Sequence, residues 1–267
     1  MARNYAAVDE VMYHVGFCAD ELRGARVAVL PGDPGRVEPL ARALCDEGGF
    51  CRKLAEHREY TSWLTEAGGA DVLVCSTGMG GPSVAICLEE LARMGVTHVI
   101  RVGTTGTIQQ HIALGDIIIN KAAARLDGTS HHYAPGTFPA VASFRLTALL
   151  RQAALKAGVP HHVGISVSSD TFWPGQERYD SFTGYVRKSL RDMLGEWQAL
   201  GALNYEMETS ALFVTAQALG LKAGSVCGVV AKRTESESVA PPEIYQSALV
   251  NLTKTVRLAL LELAETV

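Results

Sequence analysis

Residues 26–45 read RVAVLPGDPGRVEPLARALC, and this stretch decides the fold class. Arg26 to Leu30 is apolar and rich in β-branched residues, as a buried strand requires. The run Pro31-Gly32-Asp33-Pro34-Gly35-Arg36 must break it, because two prolines and two glycines favour turn geometry. Beyond it, Val37, Leu40, Ala41 and Leu44 recur at helical spacing, predicting a helix over Val37 to Cys45. Strand, glycine-bearing loop and amphipathic helix together make the repeating unit of an α/β fold.

The same unit recurs along the chain. Asp71 to Ser76 predicts a second strand, Thr77-Gly78-Met79-Gly80-Gly81 a turn, and Pro82 the first turn of a helix running to about Met94. His98 to Val102 predicts a third strand closed by Gly103-Thr104-Thr105-Gly106, and Asp116 to Asn120 a fourth. Further units follow: a helix over Arg145 to Ala157, a strand over His162 to Ser168, and a polar, aromatic loop over Asp170 to Tyr179. A helix over Met207 to Leu219, a strand over Ala223 to Val230, a flap over residues 231–242 and a closing helix over Glu243 to Leu263 complete the pattern. No break or internal repeat divides it, so one domain over 1–267 is expected.

Composition excludes several classes of function. The 267 residues are 48% hydrophobic and 19% charged, which suits a globular chain. The net charge of -4 offers no general attraction to nucleic acid. The longest apolar run, Ala211 to Ala231, is interrupted by Gln217 and Lys222 and reads as helix then strand, so no membrane span is expected. Met1 to Asp20 lacks the pattern of a secretory signal, which points to the cytoplasm. The six cysteines contain no C-x-x-C pair, leaving neither a disulfide framework nor a zinc site indicated.

Ligands of open α/β sheets gather beyond the carboxyl ends of the strands. The residues there are glycines and arginines: Gly32 and Arg36 after the first strand, Arg101, Gly103 and Thr104 at the third, and Arg233 after the last. Glycine lets the backbone approach an oxyanion and arginine grips it with a two-pronged fork, so a phosphate-sized anion is the natural ligand. Each signal alone also fits turn punctuation or a surface salt bridge. Neither a P-loop nor a G-x-G-x-x-G fingerprint is present. The loop over Ser169 to Tyr179 combines Phe172, Trp173, Gln176 and Arg178, a set able to read a planar heterocycle or, alternatively, to bury its aromatics in the core. In Tyr205-Glu206-Met207-Glu208-Thr209, one carboxylate could accept hydrogen bonds from a sugar while the other supports a helix start. The histidine pairs His131-His132 and His161-His162 diverge along the backbone and lack a third ligand at zinc spacing.

These motifs, in order, resemble the nucleoside phosphorylase family on its uridine-cleaving side. VLPGDPGRVE, HREYTSW, VCSTGMGGPS, RVGTTGTIQ, RLDGTSHHYAP, SSDTFWPGQERYD, NYEMETSAL and GVVAKRT carry the likeness from about His14 to Arg233. It implies a three-layer α/β/α sandwich around a mixed, twisted sheet, and a pentosyltransferase that converts uridine and phosphate into uracil and ribose 1-phosphate. By position, Gly32, Arg36, Arg101 and Thr104 would bind phosphate, with Arg58 added from a neighbouring subunit. Gln176, Arg178 and Arg233 would face the base beside Phe172. Met207, Glu208, Glu206 and the neighbour's His14 would line the ribose pocket. Arg101, Gln176 and Arg178 would carry catalysis. No cofactor would be required, while Glu59, Met79 and Ser83 match positions that hold a potassium ion between subunits. A hexamer built as a trimer of dimers is implied too. Lys232-Arg233-Thr234 stands where purine-cleaving members carry an aspartate, favouring pyrimidines. The acidic, Ser-rich flap Glu235-Ser236-Glu237-Ser238 departs from the family's amide-rich stretch. Two other readings keep the pocket: a hydrolase using water in place of phosphate, and a nucleoside-binding protein without catalysis.

Overall fold

The computed structural model describes residues 3–236 and 238–264; Glu237 of the flap lies outside them. In chain order the strands are β1 (Val27–Pro31), β2 (Cys51–His57), β3 (Tyr60–Ala67), β4 (Ala70–Cys75), β5 (His98–Thr107), β6 (Ile117–Leu126), β7 (Ala140–Val141), β8 (His161–Ser169), β9 (Asn204–Glu206) and β10 (Lys222–Lys232). The helices are α1 (Val37–Leu44), α2 (Gly81–Arg93), α3 (Ser130–Tyr133), α4 (Phe144–Lys156), α5 (Met193–Ala199), α6 (Thr209–Leu219) and α7 (Pro242–Ala264).

All the strands join one ten-stranded mixed sheet. Its middle is parallel, β1 lying between β4 and β5, with β10 parallel to β5 on the far side. Strand alternation divides the core. Val27, Val29, Val72, Val74, Ile100 and Val102 face α1, α4 and α7, whereas Ala28, Leu30, Leu73, Cys75 and Val99 face α2 and α6. Side chains of successive strand residues point to opposite faces, so these short apolar runs must be covered by helices on both sides. Burying each valine or leucine stabilises by roughly 1.5–3 kcal/mol. Helix α6 is buried over every residue from Thr209 to Ala216, as expected of a helix apolar all round. This is the three-layer α/β/α architecture with a mixed central sheet.

Two features depart from the sequence expectation. The third strand does not close at Gly103: β5 runs on through Gly103-Thr104-Thr105-Gly106, paired with Cys227, Gly228, Val229 and Ala231 of β10. These glycines make room for side chains and form no turn. A Cβ on Gly103 would lie 2.9 Å from the Arg101 guanidinium, and one on Gly106 3.4 Å from Arg233 Cγ. The extension also lets β5 pair with β9, closing β5, β10, β6, β8 and β9 into a ring. The second departure is the β2–β3 hairpin, which sequence reading leaves unassigned. Its β2 is an outer strand carrying Arg52, Lys53, Glu56 and His57, charges that protect a sheet edge but hide the apolar pattern.

Candidate active site

Beyond the carboxyl ends of β1, β4, β5 and β10 lies a cleft of about 680 Å³. Gly32, Arg36, Arg101 and Thr104 line it together, as do Phe172, Gln176, Arg178, Glu206, Met207 and Glu208, with Glu59 and Met79 at its margin. Residues more than 170 positions apart in the chain thus share one wall, from Gly32 to Glu208.

The end of the cleft that holds Arg36 is built by local geometry. Asp33 Oδ1 accepts the Gly35 N–H at 2.8 Å and caps the single turn Pro34–Arg36, which Pro34 pre-sets. The turn swings Arg36 under β5, where its Nη2 donates to the Val102 carbonyl at 3.1 Å. Burial lowers the Arg36 pKa, and the neighbouring Arg101 lowers it further. Two guanidiniums sharing one cavity create a field that an oxyanion relieves.

Arg101 is 5% exposed and is held by two carboxylates. Its Nη2 donates to Glu208 Oε2, and its Nε lies 3.4 Å from Glu206 Oε2. Burial acts against the charged guanidinium, but Glu208, Cys227 and Glu206 outweigh it, so the Arg101 pKa is raised. Glu206 also accepts the N–H groups of Glu208 (2.9 Å) and Thr209 (2.8 Å) and the Ser168 hydroxyl. It is therefore the helix-start carboxylate of the pair, a division the sequence left open. Glu208 accepts the Gly80 N–H at 2.7 Å, and burial raises its carboxyl above the usual range, opposed by Arg101. The Gly-rich turn before α2 thus donates to Glu208, with Gly78 and Gly80 at positive φ.

At the other end, the Arg178 guanidinium sits 4.2 Å from the centre of the Phe172 ring. Gln176 and Arg178 are buried in the cleft wall, at 3% exposure each. Sequence reasoning missed what holds this loop. Glu177, at φ 53°, turns its carboxylate outward to the N–H groups of Asp192 (2.6 Å) and Leu194 (2.7 Å). Its neighbours consequently face inward. A Cβ on Gly175 would lie 2.1 Å from Ser169 Oγ and 2.5 Å from Thr171 Oγ1, so a side chain there would have to displace both hydroxyls.

Arg233 stands apart from its expected place. It does not line the cleft; its Nη1 donates to the Gln176 carbonyl at 2.6 Å and its guanidinium lies over the Tyr205 ring at 5.3 Å. From behind, it fixes the loop that carries Gln176 and Arg178. Sequence reading also passed over Tyr205 and Tyr245, which line the cleft from β9 and α7. Tyr205 adjoins Glu206 in sequence, whereas Tyr245 lies far from the other walls.

His14 and Arg58 lie outside this cleft, on one surface patch. Glu90 accepts His14 Nδ1 (2.7 Å) and the N–H groups of His14 and Val15. Arg58 Nη2 donates to Tyr13 Oη at 3.2 Å, and His57 Nδ1 lies 2.9 Å from the His14 carbonyl oxygen. The β2–β3 turn separates its two residues: Arg58, at φ 55°, joins the patch, while Glu59 lines the cleft. Ser83 Oγ lies 3.3 Å from the Met79 carbonyl oxygen, and Glu59 and Ser83 both pack against Gly78. The histidine pairs are elsewhere; His162 bonds Asp116 at 2.9 Å and His131 and His132 lie in α3.

The sequence signature of the phosphorylase superfamily matches residues 26–262. The uridine phosphorylase of Escherichia coli (strain K12) is 50% identical over 226 residues, covering 85% of this chain and 88% of the relative. That of Thermococcus kodakarensis is 43% identical over 227 residues, covering 85% of this chain and 79% of the relative. The guanosine phosphorylase of Halorubrum lacusprofundi is 33% identical over 237 residues, or 88% of this chain and 91% of its own. The chain belongs to the phosphorylase superfamily, among its nucleoside phosphorylases.

Proposed function

We propose that this enzyme catalyses the reversible phosphorolysis of uridine to uracil and ribose 1-phosphate. The observation that carries the reading is the convergence of Arg36, Arg101, Gly32 and Thr104 at one end of the cleft that holds Gln176 and Arg178 at the other. Phosphate at the first end lies beneath a ribose held by Met207 and Glu208. Its oxygen attacks C1′, the bond from C1′ to the base nitrogen breaks, and the electron pair leaves with uracil, which then takes up a proton. Arg178 and Gln176 face the oxygens and imide edge where that negative charge collects. Holding phosphate in line removes most of the entropic cost of the encounter. Arg101, pinned by Glu206 and Glu208, needs little reorganisation to serve. A hydrolase would have no use for two guanidiniums beneath the sugar.

The patch of His14 and Arg58 supports an assembly in which each subunit completes a neighbour's site, with Arg58 on the phosphate and His14 on the ribose; a hexamer of three dimers is the form we favour. Exposed Tyr5, Val8, Val11 and Tyr13 on the same segment fit a face covered by another subunit. Glu59, the Met79 carbonyl and Ser83 form an oxygen-only donor set that suits potassium, whose charge would hold Glu59 at the cleft margin. Six cysteines are free and, among the described residues, no helix is long and apolar enough to cross a membrane. A cytoplasmic role in pyrimidine salvage agrees with the free thiols.

A panel of nucleosides supplied with phosphate tests the substrate class. Uridine is expected to turn over at least ~10²-fold faster than inosine or guanosine, because a site built to pair one base edge leaves polar groups unpaired with another. Comparable purine cleavage would refute the assignment. Thermal unfolding in a large organic cation in place of potassium tests the cation, with a lowered midpoint expected.

A further inference from the structure

The anion end of the cleft contains a hydroxyl to which the contacts above give no task. After β10 the chain returns across it, Ala231 bridging Val239 and the Ala240 N–H donating to the Val230 carbonyl at 2.7 Å. Helix α7 therefore begins at the cleft mouth. Its rotation is fixed deeper down, where Ala248 and Leu252 press on Gly228 so closely that a Cβ there would lie 3.1 Å from each. With that register set, Tyr245, in the first turn, enters the cleft wall alongside Gly32, Arg36 and Arg101. The electrostatics agree with the placement: burial lowers the Arg36 pKa and Tyr245 is the group that most opposes it.

We propose that Tyr245 is a further phosphate-binding residue, its hydroxyl donating to the anion held between Arg36 and Arg101. A neutral hydroxyl adds a hydrogen bond without adding to the repulsion between the two guanidiniums, and it ties the first turn of α7 to an occupied site. This assignment rests on the phosphorolytic reading.

Tyr245→Phe keeps the ring and removes only the donor. A lost hydrogen bond to a charged group predicts a rise of ~10-fold in the KM for phosphate. The KM for uridine and kcat at saturating phosphate are expected to stay within about twofold, a split that general loosening of the fold would not produce. Calorimetric titration with inorganic phosphate alone is expected to show the same ~10-fold weakening. Tyr245→Gln, which restores a donor, is expected to recover part of it. If the wild type binds phosphate and both variants match it in calorimetry and KM, the Tyr245 assignment is overturned while phosphorolysis stands. If the wild type neither binds nor consumes phosphate, the phosphorolytic reading itself falls, and this one with it.

Discussion

Arg101→Met is expected to lose both phosphorolysis and several kcal/mol of stability. The side chain is 5% exposed and answers two buried carboxylates, Glu206 and Glu208, that have no other basic partner in an ion pair among the described residues. Removing one member of a buried charge group leaves the rest desolvated and unpaired, at a cost of about 3–5 kcal/mol. Glu206 also starts α6, so the strain reaches the N–H groups of Glu208 and Thr209 that it accepts. Denaturant unfolding should register the lost stability. The KM for phosphate, measured on whatever fraction folds, should register the lost anion binding. Arg101→Lys should rescue little of either, since one point charge cannot bond Glu208, neighbour Glu206 and meet an anion in the same plane. A variant with native stability and native phosphate affinity would mean that Arg101 only fills space.

Arg178→Ala separates chemistry from folding. The residue is 3% exposed and its guanidinium packs against Phe172, at 4.2 Å from the ring centre, while Glu206 and Glu208 pair with Arg101. Loss of this buried cation–ring contact is expected to cost about 2 kcal/mol, less than the Arg101 variant loses. Turnover is expected to fall ~10²-fold to 10³-fold, the usual effect of deleting one preorganised donor to developing negative charge. The loss should shrink with uridine analogues whose base is a better leaving group, because such a base needs less help. Mixing Arg178→Ala subunits with Arg58→Ala subunits extends the experiment to the assembly. If Arg58 serves a neighbour's site, mixed oligomers contain some sites with both arginines and recover activity. Failure to recover any activity after subunit exchange would place Arg58 outside the site.

Much of this was legible from the order of residues alone, and the parts that were not have physical causes. The first strand, its capped turn and α1 follow from local rules: apolar run, Pro and Gly, then helical spacing. The turn of Asp33, Pro34 and Arg36 needs nothing from the rest of the chain. Gly103 and Gly106 misled because glycine in a sequence signals a turn, whereas here it clears space for Arg101 and Arg233 arriving from elsewhere. Glu206 and Glu208 were readable as a divided pair, but which one began the helix depended on Ser168, a residue of β8. Arg233 was expected to face the base, yet its guanidinium lies behind the cleft wall, where it donates to the Gln176 carbonyl of the loop that forms that wall. Tyr245 could not have been found from spacing, because only the packing of Ala248 and Leu252 on Gly228 sets its direction. An aromatic hydroxyl in the first turn after a flap was its one visible signal.

The most direct measurement follows uracil release from uridine while inorganic phosphate is titrated from zero, with ribose 1-phosphate quantified by phosphorus NMR. The prediction is release that saturates with phosphate, vanishes without it, and yields one ribose 1-phosphate for each uracil. Uracil appearing at full rate in phosphate-free buffer, accompanied by free ribose, would contradict an anion site at Arg36 and Arg101 as the source of the nucleophile.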